Sequence, residues 1–565
     1  MYRYQARSHL VLFIFLGFCL TACIEQAPPT KTNNTNQTSA TRGTNTKNIN
    51  LAPGDPGAKF DPGRMAGANL AYGGLVYDKW WRASFQNPLP TQPAADSIHP
   101  LYPSTLNPMV GPDTFRCKEC HGWDYLGSEG VYGDAASTHY TGIKGITSVT
   151  PTYNYNSDIE IWTFLHDGDS PAGLIDHAFG DILSDDDIYN LTRFVLTVRE
   201  ELLVDNGPAN FIDPDKTING NTLNGANLFA SNPVEGGAGC ADFRCHGPNG
   251  DFIFLKAPIG KLAQDNPWEV LHKIRFGQPG SMMVGITALN NPNVGIIEAV
   301  DILSFTKNAL GANQVRGGKL FDNWPVETGM PIVNTVNRLW DLAEPSLTGG
   351  TMPNGAEAWR CVVCHGFDYE GNIAFYYNNL VYLKQLKSWR LEYVYQQIRF
   401  GFPAFLPDGT VQIVHEFGSH MLDTDLWELA SFAINGIRDT SRYLQPDLGT
   451  AVGDASRPAN PANGLAIYDG SSGATHKGNA FDCAGCHDPV NGTVPGVDIA
   501  TITWSTPWQA FHRIRFGIPR TPDAPVDVLT MPGLLEVMGP DGINTLGTHD
   551  AVDVQRYLQE SLLLP

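Results

Sequence analysis

The feature that most constrains this chain is a spacing. Of its ten cysteines, two lie near the N-terminus (Cys19 and Cys23). The other eight form four close pairs: Cys117/Cys120, Cys240/Cys245, Cys361/Cys364 and Cys483/Cys486. A histidine follows each pair at once: His121, His246, His365 and His487. Histidine is sparse, 15 in 565 residues, so four such placements are not accidental. Whatever fold the chain adopts must present this pattern four times, at intervals of about one domain.

The pattern is embedded in an internal repeat. GANLAYGGLVYDKW (67–80) returns as GANQVRGGKLFDNW (311–324), and the same offset carries Cys117 onto Cys361. CHGWDYLG (120–127) returns as CHGFDYEG (364–371), and PWEVLHKIRFGQP (267–279) as PWQAFHRIRFGIP (507–519). The chain is therefore two copies of a module with two sites. All four units share a further frame. Before each motif stands a glycine, three residues, then an aromatic: Gly73/Tyr77, Gly225/Phe229, Gly317/Phe321 and Gly464/Tyr468. Near each unit's end an aromatic lies on a helical-looking segment: Phe194, Phe305, Phe432 and Tyr557. Glycine on one helix lets another cross closely, and the aromatics fill the crossing; taken singly, these positions also suit ordinary amphipathic packing. The 58 glycines and 40 prolines predict many loops.

Two thiols in such a pair can form thioethers with the vinyl groups of haem, and the adjacent histidine then gives one axial nitrogen to iron. Three motifs read C-x-x-C-H; the second, Cys240 to His246, has a longer loop, with Cys245 as its second thiol. Zinc sites do not require a histidine directly after every pair, and disulfides leave the histidines unexplained. The expected cofactor is four haem c groups, each with its iron.

The frame around each motif resembles class I cytochrome c, whose first and last helices pack together around the haem. The resemblance implies a mainly α chain of four tandem cytochrome c-like domains with long loops, at 63–205, 206–310, 311–441 and 442–565, arranged as two dihaem modules after a disordered tether. In that family the distal ligand lies in the loop before the last helix. Those loops contain His177 and His415 in the shared frame H-x-F-G followed by acids, which suit a helix N-terminus. His177 and His415 are thus the expected distal ligands of units one and three. His166 and His139 compete in unit one, and His420 or Met421 in unit three. Units two and four offer GQPGSMMVG (277–285) and VLTMPG (528–533). The family's G-x-P-G-x-x-M-P loop favours Met283 over Met282 and Met531 over Met538. His272 and His512 precede Ile-Arg-Phe-Gly and suit packing near the haem edge, with ligation as the other possibility. Arg275, Arg399 and Arg515 recur in that string; each suits a haem propionate or, equally, a solvated surface.

Alternating His/His and His/Met ligation would place low and high potentials along one chain. The implied function is electron transfer by a non-catalytic carrier, as a respiratory or extracellular relay. The competing reading is a haem-dependent oxidoreductase, such as a peroxidase or a sulfur-compound dehydrogenase, which needs an open sixth position. A polymerising filament fits less well, because the motifs are spaced as compact separate domains.

Arg3 and Arg7 precede a short apolar run, Leu10 to Leu20, which ends in Leu-Thr-Ala-Cys23. The run is too short for a mature membrane span. It resembles a lipoprotein signal (1–22), which implies lipidation at Cys23; Ile24 after it implies the outer membrane. An ordinary cleaved signal peptide is the alternative. Residues 23–62, rich in Thr, Asn, Pro and Gly, read as a flexible tether. The expected location is an outer-membrane lipoprotein facing the periplasm or the cell surface. A net charge of −21 argues against nucleic acid. It permits a redox-protein donor and acceptor, or an extracellular metal or oxide acceptor.

Overall fold

A computed structural model describes residues 58–83, 89–146, 157–168, 177–204, 207–231, 239–242, 245–250, 259–289, 295–330, 355–371, 383–405, 411–445, 449–485, 487, 499–519, 531–537 and 546–561. The signal, Cys23, most of the tether, Cys486 and Met538 lie outside them. The described residues belong to one compact body, Asn50–Pro565. The fold is mainly helical. Among the described residues, three two-stranded antiparallel ribbons accompany the helices, the longest pairing Phe402–Phe405 with Val411–Val414. No helix among the described residues is long and apolar enough to cross a membrane.

Each unit has an opening and a closing helix. The opening helices are Leu70–Ala83, Thr222–Ala230, Gln314–Thr328 and Pro461–Tyr468. All four start from an asparagine (Asn69, Asn221, Asn313, Asn460) whose side-chain oxygen accepts a backbone N–H of the first turn. Such a cap satisfies a donor that the helix itself leaves orphaned. The backbone N–H of three of these asparagines donates in turn to the closing helix: Asn69 to Asn190 (2.6 Å), Asn221 to Asp301 (2.7 Å) and Asn460 to Asp553 (2.6 Å). The cap therefore fixes the start of one helix against the middle of another.

The closing helices are Asp185–Leu203, Ile296–Phe305, Asp423–Ser431 and Thr548–Ser561. Asp185 to Asp187 fill the first turn of the first of these, where the helix dipole favours negative charge. Arg64 pairs with Asp185 (2.8 Å) and Asp186 (2.7 Å) there. Opening and closing helices cross at the four framed glycines. A Cβ on Gly73, Gly225, Gly317 or Gly464 would overlap the backbone carbonyl of Asn190, Asp301, Glu428 or Asp553 respectively. The framed aromatics meet beside each crossing. Ring centres are 4.9 Å apart for Tyr77–Phe194, 5.4 Å for Phe229–Phe305, 5.2 Å for Phe321–Phe432 and 5.4 Å for Tyr468–Tyr557. Each such pair adds about 0.5–1.5 kcal/mol beyond the area it buries.

Two expectations change. Residues 58–62 are not tether: Phe60 packs on Trp162 and Tyr189, and the Asp61 N–H donates to the Tyr189 hydroxyl (2.6 Å). Nor are the units separate. One apolar cluster runs from Trp123 of unit one through Phe229, Phe305, Phe321 and Trp427 to Phe516 of unit four. Helix Pro267–Phe276 of unit two lies against the opening helix of unit one, with the Phe276 ring filling the space a side chain at Gly74 would need. Helix Pro507–Phe516 of unit four repeats this against unit three, Phe516 on Gly318.

Candidate haem sites

The first and third motifs are single helical turns, Cys117–His121 and Cys361–His365. Each is followed by a glycine in the left-handed region, Gly122 (φ 75°) and Gly366 (φ 68°), which turns the chain away directly after the histidine. Both turns are tied to their opening helix in the same way. The Nε of Arg116 donates to the Asp78 carbonyl (2.7 Å), and that of Arg360 to the Asp322 carbonyl (2.7 Å). Each guanidinium also pairs with the same residue's carboxylate. These two aspartates are nearly inaccessible to solvent. Sequence reading did not single them out, although both stand inside the repeated string.

The second motif departs from this geometry at Cys245. Where Cys120 and Cys364 lie within a helical turn, Cys245 lies in an isolated turn closed by its own N–H, which donates to the Asp242 carbonyl (2.8 Å). The physical reason is the longer loop: two more residues separate Cys245 from Cys240 than separate the thiols of the other pairs, so one helical turn cannot hold both. Cys245 is half-buried and, like Cys240, a free thiol. The loop still returns to register: the His246 N–H donates to the Cys240 carbonyl (3.1 Å), as the His487 N–H donates to Cys483 (2.7 Å). The extra residues are accommodated without separating the histidine from the first cysteine. None of the described cysteines is joined to another. Burial raises the Cys117, Cys120, Cys361 and Cys364 thiols to about 12, and Cys240 to about 11.

In units one and three a second histidine faces the motif histidine. Ring centres of His121 and His177 are 6.1 Å apart, and those of His365 and His415 are also 6.1 Å apart. Metal–imidazole bonds are about 2 Å long and a ring nitrogen lies about 1 Å from its ring centre, so two imidazoles on opposite sides of one metal have centres about 6 Å apart. The His121 Nδ1 faces the Lys144 carbonyl at 2.9 Å. A carbonyl only accepts, so Nδ1 carries the proton and Nε2 keeps its lone pair for a metal. Burial lowers the basicity of all four rings, with His177 and His365 at about 3, and keeps them in the neutral, ligating form. Among the described residues, the buried Nδ1 atoms of His177, His246 and His487 meet no hydrogen-bond partner. The two facing imidazoles of units one and three therefore fit the two axial positions of a haem iron.

The competing histidines are engaged elsewhere. His166 stacks on Trp162 and pairs with Asp167. His139 stacks on Tyr132 and meets Glu119. His420 packs against Trp359, and Met421 is buried in the core. In unit four Met531 packs on the same apolar cluster as Cys483. In unit two Met282 is 94% exposed, whereas Met283 is half-buried in the loop closed by the Gly277–Val284 bridge. Among the described residues no group of three or more His, Cys, Asp or Glu is gathered as in a metal cage; a haem iron takes only two axial ligands. Arg275 and Arg515 are not surface residues: each is 1% exposed. Arg275 pairs with Glu201 (2.5 Å), and Arg515 donates to the Gly436 carbonyl (2.7 Å). Arg399 is 31% exposed and pairs with Asp423.

His272 and His512 use both ring nitrogens on the protein. His272 binds the Tyr125 hydroxyl at Nδ1 (2.9 Å) and the Gly74 carbonyl at Nε2 (3.0 Å). His512 binds Tyr369 (2.8 Å) and Gly318 (2.9 Å) in the same way. They are seam residues with no nitrogen left for iron. Burial is the main cause that holds His272 at about 3 and His512 at about 4, whereas unfolded imidazoles titrate near about 6.5. Because the folded values are depressed, the unfolded chain binds more protons between about pH 4 and 6.5, and stability is lost as pH falls through that window. Melting temperatures taken from about pH 7 to 4.5 will fall less steeply for a His272→Gln/His512→Gln double variant than for wild type. Comparison with protein families, with curated proteins and with solved structures finds no match to this chain.

Proposed function

We propose that this chain carries electrons outside the cytoplasm through four covalently attached haem c groups, held in two dihaem modules of domains like class I cytochrome c. The observation that carries the reading is the repeated axial pair. Two histidine couples, each one motif histidine and one loop histidine, share the same 6.1 Å separation in two different units. In this reading the four cysteine pairs anchor the haems, and His121, His246, His365 and His487 are the proximal ligands. His177, Met283, His415 and Met531 complete the coordination. Haem supplies a reversible one-electron couple. The chain's part is to fill both axial positions, exclude water and space the haems. Units one and three then hold low-potential His/His sites, and units two and four high-potential His/Met sites. Lipidation at Cys23 anchors the protein to the outer membrane. Its partners are a redox-protein donor and acceptor, or an extracellular metal or oxide acceptor.

The test is a haem count by pyridine haemochrome and intact mass on the purified chain. The expected count is four, falling by one in a variant that carries both Cys240→Ser and Cys245→Ser. Wholly low-spin spectra are expected. Met283→Ala and Met531→Ala each remove one methionine-to-iron signature. A high-spin haem in the untreated protein would instead favour the haem-enzyme reading.

A further inference from the structure

The seam between the two units of each module reaches the haem-binding loop itself. In unit one the His121 Nδ1–H donates to the Lys144 carbonyl (2.9 Å). Lys144 pairs with Gly127 in an antiparallel bridge, and the Gly127 N–H returns to the His121 carbonyl (2.9 Å). The next tie along that strand is the Ile146 N–H, which donates to the Tyr125 carbonyl (2.9 Å). The position of the proximal ligand's acceptor thus depends on Tyr125. Tyr125 is held at φ +67°, a conformation that a bulky side chain adopts only when its surroundings enforce it.

What holds it comes from the other unit. The Gly74 carbonyl can only accept, so His272 Nε2 carries the proton and Nδ1 accepts from the Tyr125 hydroxyl. The imidazole is locked in one tautomer, walled by Trp123 (5.1 Å), Tyr77 (5.7 Å) and Phe194 (5.9 Å). The other module repeats the tyrosine–histidine part: Tyr369 lies at φ +64°, its hydroxyl meets His512 (2.8 Å), and Phe367 (5.2 Å), Phe321 (5.8 Å) and Phe432 (5.8 Å) wall the imidazole. Duplication of an irregular backbone angle together with its distant partner marks a device rather than incidental packing.

We infer that His272 of unit two is a positioning residue for the haem site of unit one, acting through Tyr125 on the loop that accepts the His121 hydrogen bond. The inference rests on the haem reading proposed above. The hydrogen bond at the far nitrogen of a ligating imidazole sets its orientation and basicity, and these tune the iron potential. The second unit would thereby set the potential of the first.

Tyr125→Phe and His272→Gln are made in the full chain. Tyr125→Phe removes one hydroxyl and keeps the ring, so it guards against a failure to fold in the second variant. Haem count and circular dichroism come first. Potentials are then read by redox titration with magnetic circular dichroism, the unit-one signal being the one lost in His177→Ala. Both variants are expected to change the oxidised-to-reduced ratio of that haem at its wild-type midpoint by about threefold, or about 30 mV at 59 mV per tenfold. The other three potentials stay in place. A loaded, folded chain in which neither variant moves the unit-one potential overturns the inference alone. A wild-type chain that takes up no haem overturns the electron-transfer reading and this inference together.

Discussion

On the proposed haem reading, His177→Ala and His415→Ala will each convert one haem from low-spin to high-spin, and the double variant will convert two. Each imidazole is half-buried, neutral at working pH and set opposite a motif histidine at the separation one iron requires. Alanine leaves no nitrogen in that position. His166 and His139 are tied to Asp167 and to Glu119 and Tyr132, His420 lies against Trp359, and Met421 is packed in the core. Electron paramagnetic resonance of the oxidised protein reads the result directly, as loss of one bis-imidazole signal per substitution and gain of a high-spin signal. Unchanged spectra in His177→Ala would show that another residue closes the unit-one site. His166→Ala serves as the control and leaves every haem low-spin.

The second large effect is structural. Gly225→Val will strongly destabilise unit two. A Cβ there would lie inside the Asp301 carbonyl, and the obstacle is the backbone of the closing helix rather than a side chain that can rotate away. Overpacking costs about 1–3 kcal/mol where neighbours can adjust; with a helix backbone in the way the cost lies at or above the top of that range. For a domain of about 150–250 residues about 3 kcal/mol lowers Tm by about 6–12 °C, and in one compact body as large as residues 50–565 the fall is smaller. The same helices carry the Asn221–Asp301 hydrogen bond and the Phe229–Phe305 contact, so all three are lost together. Calorimetry of Gly225→Val beside Gly67→Ala measures this. A Cβ at Gly67 meets only ordinary contacts, at 3.6 and 3.8 Å, so that change is expected to stay within about 0.5 kcal/mol of wild type. Equal stability of the two variants would mean that the crossing is looser than these contacts require.

The four helix crossings were legible from sequence because they rest on a short pattern of glycine and aromatic residues recurring four times. The roles of the histidines were harder to read. His177 and His272 both sit in repeated or framed strings, yet the first faces another imidazole while the second binds a carbonyl 198 residues away and a hydroxyl 147 residues away. Nothing in the local sequence distinguishes a free ring nitrogen from one already bonded. The buried guanidinium of Arg275 poses the same difficulty, since its partner Glu201 belongs to the preceding unit. Tyr125 and Asp78 were missed as individual residues. Their signal was present in the strings CHGWDY/CHGFDY and GLVYD/GKLFD, whose agreement between copies extends well beyond the cysteines and histidines.

By itself the sequence determined the four cysteine-pair–histidine motifs and the glycines at the crossings. Each of these is a short pattern within one chain segment that recurs four times, so spacing and repetition pick it out, although each crossing joins helices far apart in sequence. Only the tertiary structure decided which histidines face each other, where the first unit begins, and that one apolar cluster reaches into all four units. Those outcomes depend on how helices distant in sequence come together, and on which polar atoms the crossing leaves without a partner.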